Sequence, residues 1–514
     1  MLIGTLMLGA VLNVPEIVIR EPIPPCIKSL RINRDIPVNL NLSKAKVVSF
    51  DMICKDLRPF ANFTIYLRYG EMSISHSFVP TQPAGTLEHF DIPIEEFGVG
   101  KFKLKDVGSL AKVSQIRFSG WRNSAEDGFA DIIVKNFEVS EEPLPVRPEV
   151  EDKLVEPLPV KLGERRRICC HRAWGIDKKP GKTSWDEQIE RLKAAGFSDI
   201  AVHMAWAGKA YYKSAVYSED PVVAKYGDML ESCKAACHRH GIKFWAWKCC
   251  WNMGKNADSE LRRRLAGEGR LQMNFKDVAS GVPSTNWLCP TDPENVRMET
   301  AAMVELAKRG VDGIHFDYIR YPDTETCVCP RCRRLFEENI GRKVADWPNA
   351  LETDEDLKEA WRKFRCGVIT SYVKGVVEAV RRDCPGVGFS AAVRPSSRLG
   401  TYWVAQDWES WAKEGWFDFV CTMNYTSSPK RLKESSIATI KKENCPVKVY
   451  PALGPVLWNF KDGRDLERLR DQVLAVREAG FDGFSIFEWS HRCEKFLPVL
   501  TPQTRQLKQR AIGR

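Results

Sequence analysis

The chain has 514 residues, of which 44% are hydrophobic and 28% charged, with a formal net charge of +10 at pH 7. That length suits two or three domains, and the composition is that of a soluble globular protein. The basic residues are dispersed among acids with no run resembling a nucleic-acid arm, and no segment reaches the roughly 18 to 20 apolar residues of a membrane span, so neither partner is expected.

Residues Met1 to Leu12 are apolar and resemble the core of a signal peptide, without a basic start or a clear small-x-small cleavage site. An N-terminal strand of the first domain, or a clipped gene start, is the competing reading. Compartment, cytoplasmic or exported, and oligomeric state therefore stay open. Residues 1–140 are expected to form an all-β sandwich of jelly-roll type. Val47–Cys54, Asn62–Tyr69, Leu87–Ile94, Val113–Trp121 and Ala130–Val139 alternate or run apolar between turn residues. Residues 141–164 read as a linker, because Glu-Pro-Leu-Pro-Val occurs at both 142–146 and 156–160. Proline at that spacing favours an extended spacer, or a strip laid on the second domain.

From Arg165 the pattern becomes strand and helix in alternation. Strands are expected at Ile168–Trp174, Ile200–Trp206, Lys243–Trp251, Gly313–Tyr318, Gly388–Arg394, Phe417–Tyr425, Val447–Leu453 and Gly483–Trp489. Helices include Ser184–Ala195, Asp228–His238, Val296–Arg309, Asp356–Asp383, Asp407–Glu414 and Asp465–Ala479. Several end in glycine just before the next strand, the position of a left-handed helix cap. Eight such units predict an α/β fold, a (β/α)8 TIM barrel over residues 165–500, with 501–514 as a tail. A doubly wound open sheet is the alternative, but no Gly-rich phosphate loop follows the first strand.

In a parallel barrel the C-terminal strand ends share one rim, where catalysis is built. That rim is expected to gather His171 and Trp174, His203 and Trp206, Trp247, then Asp317, Tyr318, Arg320 and Tyr321, followed by Arg394, Asn424, Tyr425, Glu488 and Trp489. Aromatic faces with a few polar anchors match the apolar faces and hydroxyl edges of sugars. Glycosidic cleavage needs two carboxyl groups. Asp317, closing Gly313-Ile314-His315-Phe316-Asp317, is the first candidate, with Glu488 and Asp407 as alternatives for the second. Asp317 suits a nucleophile if arginines keep it ionised, and an acid if burial raises its pKa. Strand seven ends in no acid. The histidines lack an i, i+4 pairing on a helix and read as substrate contacts, so no catalytic cofactor is expected.

Seventeen cysteines is a high and odd count. Cys169-Cys170 and Cys249-Cys250 lie in expected buried strands and read as small core residues. Cys327, Cys329 and Cys332 fall within six residues and suit a tight metal-binding turn, with Cys289 as the fourth ligand. Four thiolates leave no open position, so the zinc would be structural. A disulfide or free thiols is the competing reading.

The run Gly313-Ile314-His315-Phe316-Asp317-Tyr318-Ile319-Arg320-Tyr321-Pro322 resembles the signature of the bacterial family-10-like glycosyl hydrolase group. So do Trp287-Leu288-Cys289-Pro290, Gln406-Asp407-Trp408 and Asp418-Phe419-Val420-Cys421-Thr422-Met423-Asn424-Tyr425. The resemblance spans about residues 165–495. It implies a TIM-barrel hydrolase acting on poly- or oligosaccharide, with Asp317 leading and Asp407 strengthened. The cysteine turn is similar to the zinc loop of family-42 β-galactosidases, where a fourth cysteine also comes from upstream. That family has Asn-Glu where this chain has Phe316-Asp317-Tyr318, so its activity is not carried over. Ile116-Arg117-Phe118-Ser119-Gly120-Trp121-Arg122 resembles carbohydrate-binding jelly rolls. Alternatives to hydrolysis are a carbohydrate-binding scaffold on a lapsed barrel, or a polysaccharide deacetylase or lyase.

Overall fold

The computed structural model describes residues 10–11, 14–23, 31–142, 157–170, 185–426 and 429–489, with short internal gaps, and 496–500. The chain divides into two compact units, Met1–Glu151 and Asp152–Arg514.

The first unit is a β-sandwich of two antiparallel sheets. In one, Val47–Cys54 pairs with Glu88–Pro93 and with Gly128–Ser140, which also carries Ile17–Ile23 and Ala10–Val11. The other runs Arg31–Leu40, Val113–Arg122, Phe60–Tyr69, Met72–Phe78, then two short strands. Inward positions such as Phe50, Phe63, Ile65, Phe118 and Ile132 are almost fully buried and form one core. Arg31–Leu40 and Met72–Phe78 were not expected as strands. The first is an edge strand, where Pro37 is tolerated because one side needs no ladder partner. The second, Met-Ser-Ile-Ser-His-Ser-Phe, hides its apolar period under serines. Ala10–Val11 pairs with Val139 and Glu138, whereas most of the apolar N-terminus lies outside the described residues.

The second unit is a closed eight-stranded parallel barrel. Strand one is Arg165–Cys170, strand two Asp199–Trp206, strand three Lys243–Cys249 and strand four Gly313–Asp317. Strand five is Gly388–Val393, six Phe419–Met423, seven Lys448–Leu453 and eight Gly483–Trp489. Closure is direct, since strand one pairs in parallel with both strand two and strand eight. The preceding helix turns end in Gly196, Gly241, Gly310, Gly415 and Gly480, all at positive φ between 65° and 79°, a conformation that costs glycine nothing. The apolar outer faces of the strands meet the helices in one large core. The described part of the Pro-rich segment lies on this unit: Leu158 is buried and its N–H donates to Val499 O at 2.8 Å. Arg477 adds bonds to Pro159 O and to the Glu164 carboxylate.

Inside the barrel, the N-terminal end is plugged by charge. Asp199 accepts from Arg165, from Arg167 at 3.1 Å and from the Trp245 indole at 2.9 Å. Burial opposes ionisation there, but the two guanidiniums outweigh it and bring the Asp199 pKa down to about 2. Arg167 stacks 3.7 Å above the Phe419 ring centre. Strands one and eight approach so closely that a Cβ on Gly483 would sit 1.9 Å from the Arg165 carbonyl oxygen. Backbone cannot yield as a side chain does. Gly483→Ala should therefore destabilise the barrel by about 2–4 kcal/mol, read from the denaturant midpoint. A shift under half a kcal/mol would contradict this close approach.

Candidate active site

Strand four delivers Asp317 to the C-terminal rim with its side chain inside the barrel and 7% exposed. Its Oδ1 accepts from the Tyr318 N–H at 2.7 Å, and the Trp247 indole on strand three lies beside the carboxylate. Burial dominates and pushes the Asp317 pKa up, against the nearby Arg320 charge and those two groups. Beneath it lies a cavity of about 10 Å³, lined in part by His315, Ser485, Tyr425 and Cys421. That is room for one water. His315 donates to or accepts from Ser390 Oγ at 2.9 Å, and burial drives its pKa down to about 3, so it is neutral.

Strict alternation would send Tyr318 away from Asp317. Tyr318 instead sits at φ +53°, left-handed for a bulky residue, and its ring joins the barrel-interior set with Trp206, Tyr425 and Phe487. Two neighbours in sequence thus face the same mouth. A second irregularity acts on strand eight. Its register on strand one passes from Phe487 opposite Cys169 to Trp489 opposite Cys170, leaving Glu488 as the extra residue of a bulge. The slip keeps Phe487 on the inner set and turns Trp489 outward. Glu488 is half-buried. Its charge and that of Asp317 both act on the Tyr425 phenol, whose pKa rises chiefly through burial. The Tyr425 ring stacks on Phe487 at 5.1 Å. Asp317, Glu488 and Tyr425 are therefore brought together.

The other expected rim residues divide. Trp206 lies 5.8 Å from Tyr318, ring to ring, and His203 packs edge-on to Trp206 at 4.7 Å with Nε2 bonded to Ala205 O. Arg320 stacks over Tyr318 at 4.6 Å, and Arg394 follows strand five with its side chain exposed. Asn424 is buried, accepts from Thr422 Oγ1 at 2.7 Å, and leaves its Nδ2 without a partner among the described residues.

Three residues stand elsewhere. Trp489 packs into the core between barrel and helices, for the bulge reason above. Tyr321 also faces outward, beneath Arg365 at 4.4 Å and within reach of the cysteine charges. Asp407 begins helix Trp408–Lys413, accepts from Ser410 Oγ at 2.9 Å, and acts electrostatically on Arg362 and Cys366 of the long helix Glu355–Asp383. The left-handed Ala405, φ +55°, turns the chain before it, so the motif's inward anchor is Gln406, bonded to Arg394 N and Ala392 O. Lys248, next to Trp247 on strand three, is fully buried on the helix side against Glu299 at 2.5 Å. His171 and Trp174 lie outside the described residues. Trp287 was missed as a site residue. Its ring stands 5.4 Å from Tyr318 and 5.9 Å from Arg320.

Cys289, Cys327, Cys329 and Cys332 are all buried free thiols with their sulfurs within 4.8 Å of one another. Cys289 Sγ lies 3.7 Å from Cys329, 3.6 Å from Cys332 and 3.8 Å from Cys327. Tetrahedral ligands at about 2.3 Å from a zinc ion would be about 3.8 Å apart. The Met273 N–H donates to Cys327 Sγ at 3.4 Å and the Cys332 N–H to Cys329 Sγ at 3.5 Å, as thiolates require. Bonds from the other three thiols pull the Cys329 pKa far down, while burial pushes Cys327 and Cys332 up. This cluster can hold a metal ion.

A family model described as "Glycosyl hydrolase-like 10" matches residues 176–452. No curated protein matches the chain. Among solved structures, it resembles the PgaB (BpsB) glycoside hydrolase domain from Bordetella bronchiseptica at 16% identity and TM-score 0.52, over 66% of this chain and 99% of that one. Lower-scoring likenesses include an alpha-L-fucosidase isoenzyme 2 from Paenibacillus thiaminolyticus (15%, TM-score 0.45, 67% and 50%). Another is a beta-galactosidase from Bacillus circulans sp. alkalophilus (15%, TM-score 0.47, 63% and 50%). At these identities the likeness is one of fold.

Proposed function

Because this chain belongs to the glycosyl hydrolase-like 10 family, we propose that it is a glycosidase cleaving poly- or oligosaccharide at the barrel rim. Asp317 is the general acid and Glu488 the second carboxylate, as nucleophile or as base toward water. The observation that carries this reading is the pairing of a deeply buried carboxyl of raised pKa with a half-buried one acting on the same phenol. A carboxyl whose pKa is raised by burial is fitted to the acid role. Trp206, Trp247, Tyr318 and Tyr425 would bind sugar faces, and Asn424 Nδ2 a hydroxyl. The N-terminal sandwich would be a carbohydrate-binding module. Among the described residues no helix is long and apolar enough to cross a membrane.

The four cysteines would hold a structural zinc. Their closed thiolate set supplies cross-linking of the loop after strand four and no Lewis acid for the reaction.

Reducing-end release from a glycan panel tests the activity, and its pH profile tests the role of Asp317. A general acid works while protonated, so activity should fall on the alkaline side at a pH above that of an ordinary carboxyl. Arg320 lowers the Asp317 pKa, so Arg320→Gln should move that limb upward. A limb that stays put or moves down would remove Asp317 from the acid role.

A further inference from the structure

We propose that Arg320 and Arg394 form an anion subsite, which selects a sugar bearing an acidic substituent (carboxylate, sulfate or phosphate). The sugar itself rests on the glycosidase reading; the anion rests on the two guanidiniums.

Strands four and five pair in parallel, with Phe316 beside Ala391, so the residues leaving them rise side by side at the rim. Arg320 is held by its aromatic faces, over Tyr318 and Trp287. Its Nε is buried with no hydrogen-bond partner among the described residues. Arg394 is anchored through its backbone, since its N–H donates to Gln406 Oε1 at 2.9 Å, and its side chain is exposed. Neither guanidinium has an ion-pair partner among the described residues. Other arginines of this unit do have acid partners, as Arg239 has Asp186 and Arg309 has Asp228.

The two cations also feel each other. Although Arg394 keeps surface open to solvent, the protein packed round its guanidinium, and second the Arg320 charge, bring its pKa down to about 10, so it still carries its charge at neutral pH. The nearby Asp317 offers no full counter-charge when it holds its proton as an acid. Two forked, charged donors at the rim without an ion-pair partner among the described residues fit the oxygens of an acid group, which accept several N–H bonds at once. A neutral sugar would leave both charges without a partner beneath it.

The probes are glucuronate, glucose 6-sulfate, glucose 6-phosphate and the neutral methyl ester of glucuronate, titrated calorimetrically into the full chain. None has a bond to cleave. At least one acid should bind about 10- to 100-fold tighter than the ester, and the tightest identifies the substituent. Arg394→Gln should abolish that preference without loss of fold, because its anchor is backbone. Arg320→Gln should do the same. Equal binding of acids and ester, or a preference that survives Arg394→Gln, overturns the subsite. Glycan cleavage is read separately. Cleavage without acid preference removes the subsite alone, and acid preference without cleavage removes the glycosidase reading alone.

Discussion

On the proposed reading, Asp317→Asn should lower kcat by about 10²- to 10⁴-fold on whichever glycan the wild type cleaves, the range for a lost general acid. The same substitution should raise the thermal midpoint. A carboxyl whose folded pKa is raised contributes its full stability below the ordinary pKa of 3.8, and that contribution is lost as pH rises through the folded value. Above the folded value the buried charge is therefore a cost, and asparagine carries none. Asparagine keeps an Oδ1 to accept from Tyr318 N–H, so the left-handed turn need not open. If Asp317 were held for structure by Arg320, the midpoint would fall instead, and activity with it. Leaving-group chemistry separates the two carboxyls. An aryl glycoside whose leaving group departs unprotonated should be cleaved nearly normally by Asp317→Asn and remain poorly cleaved by Glu488→Gln. The opposite pattern would exchange their roles.

The parts of the molecule legible in its sequence are those governed by period and by turn chemistry. All eight barrel strands were foreseen to within a few residues, because buried parallel strands read as apolar runs and the helices between them end in glycine. The cysteine cluster was legible through spacing, and Cys289 joins it as expected. What escaped depends on single backbone torsions. Nothing in the letters distinguishes Tyr318, turned inward at φ +53°, from Tyr321, turned outward three residues later. The bulge that isolates Glu488 and expels Trp489 is likewise silent, because a register slip depends on the partner strand. Asp407 was misplaced through its neighbour: Gln406 takes the inward position and Asp407 the helix start. Trp287 was quoted as part of a motif, yet only the fold brings a loop from before strand four against Tyr318.

Purified protein should contain about one zinc per chain, and Cys329→Ser should lose it together with several kcal/mol of barrel stability. Cys329 has two structural tasks, as a sulfur of the cluster and as the cap of helix Pro330–Ile340, where it accepts the Cys332 N–H. The site also joins distant segments. Cys289 comes from before strand four, and the loop after it is tied to Met273, whose O accepts from Val328 N–H at 2.9 Å. Arg331 pairs with Asp292 across the same junction. Without metal, the four buried sulfurs lose the ion that joins these segments, so chelation should lower the thermal midpoint even in wild type. Metal content near zero in protein purified without chelator, with a midpoint indifferent to chelation, would sink the zinc site. The effect on turnover should be smaller than that of Asp317→Asn. The Asp317 carboxylate is held by the Tyr318 N–H and lies beside Trp247, and neither residue belongs to the cysteine cluster. Residual activity in Cys329→Ser should therefore keep the wild-type pH profile. A metal that activated water would impose its own ionisation on that profile, and removing it would shift the limbs as well as the height.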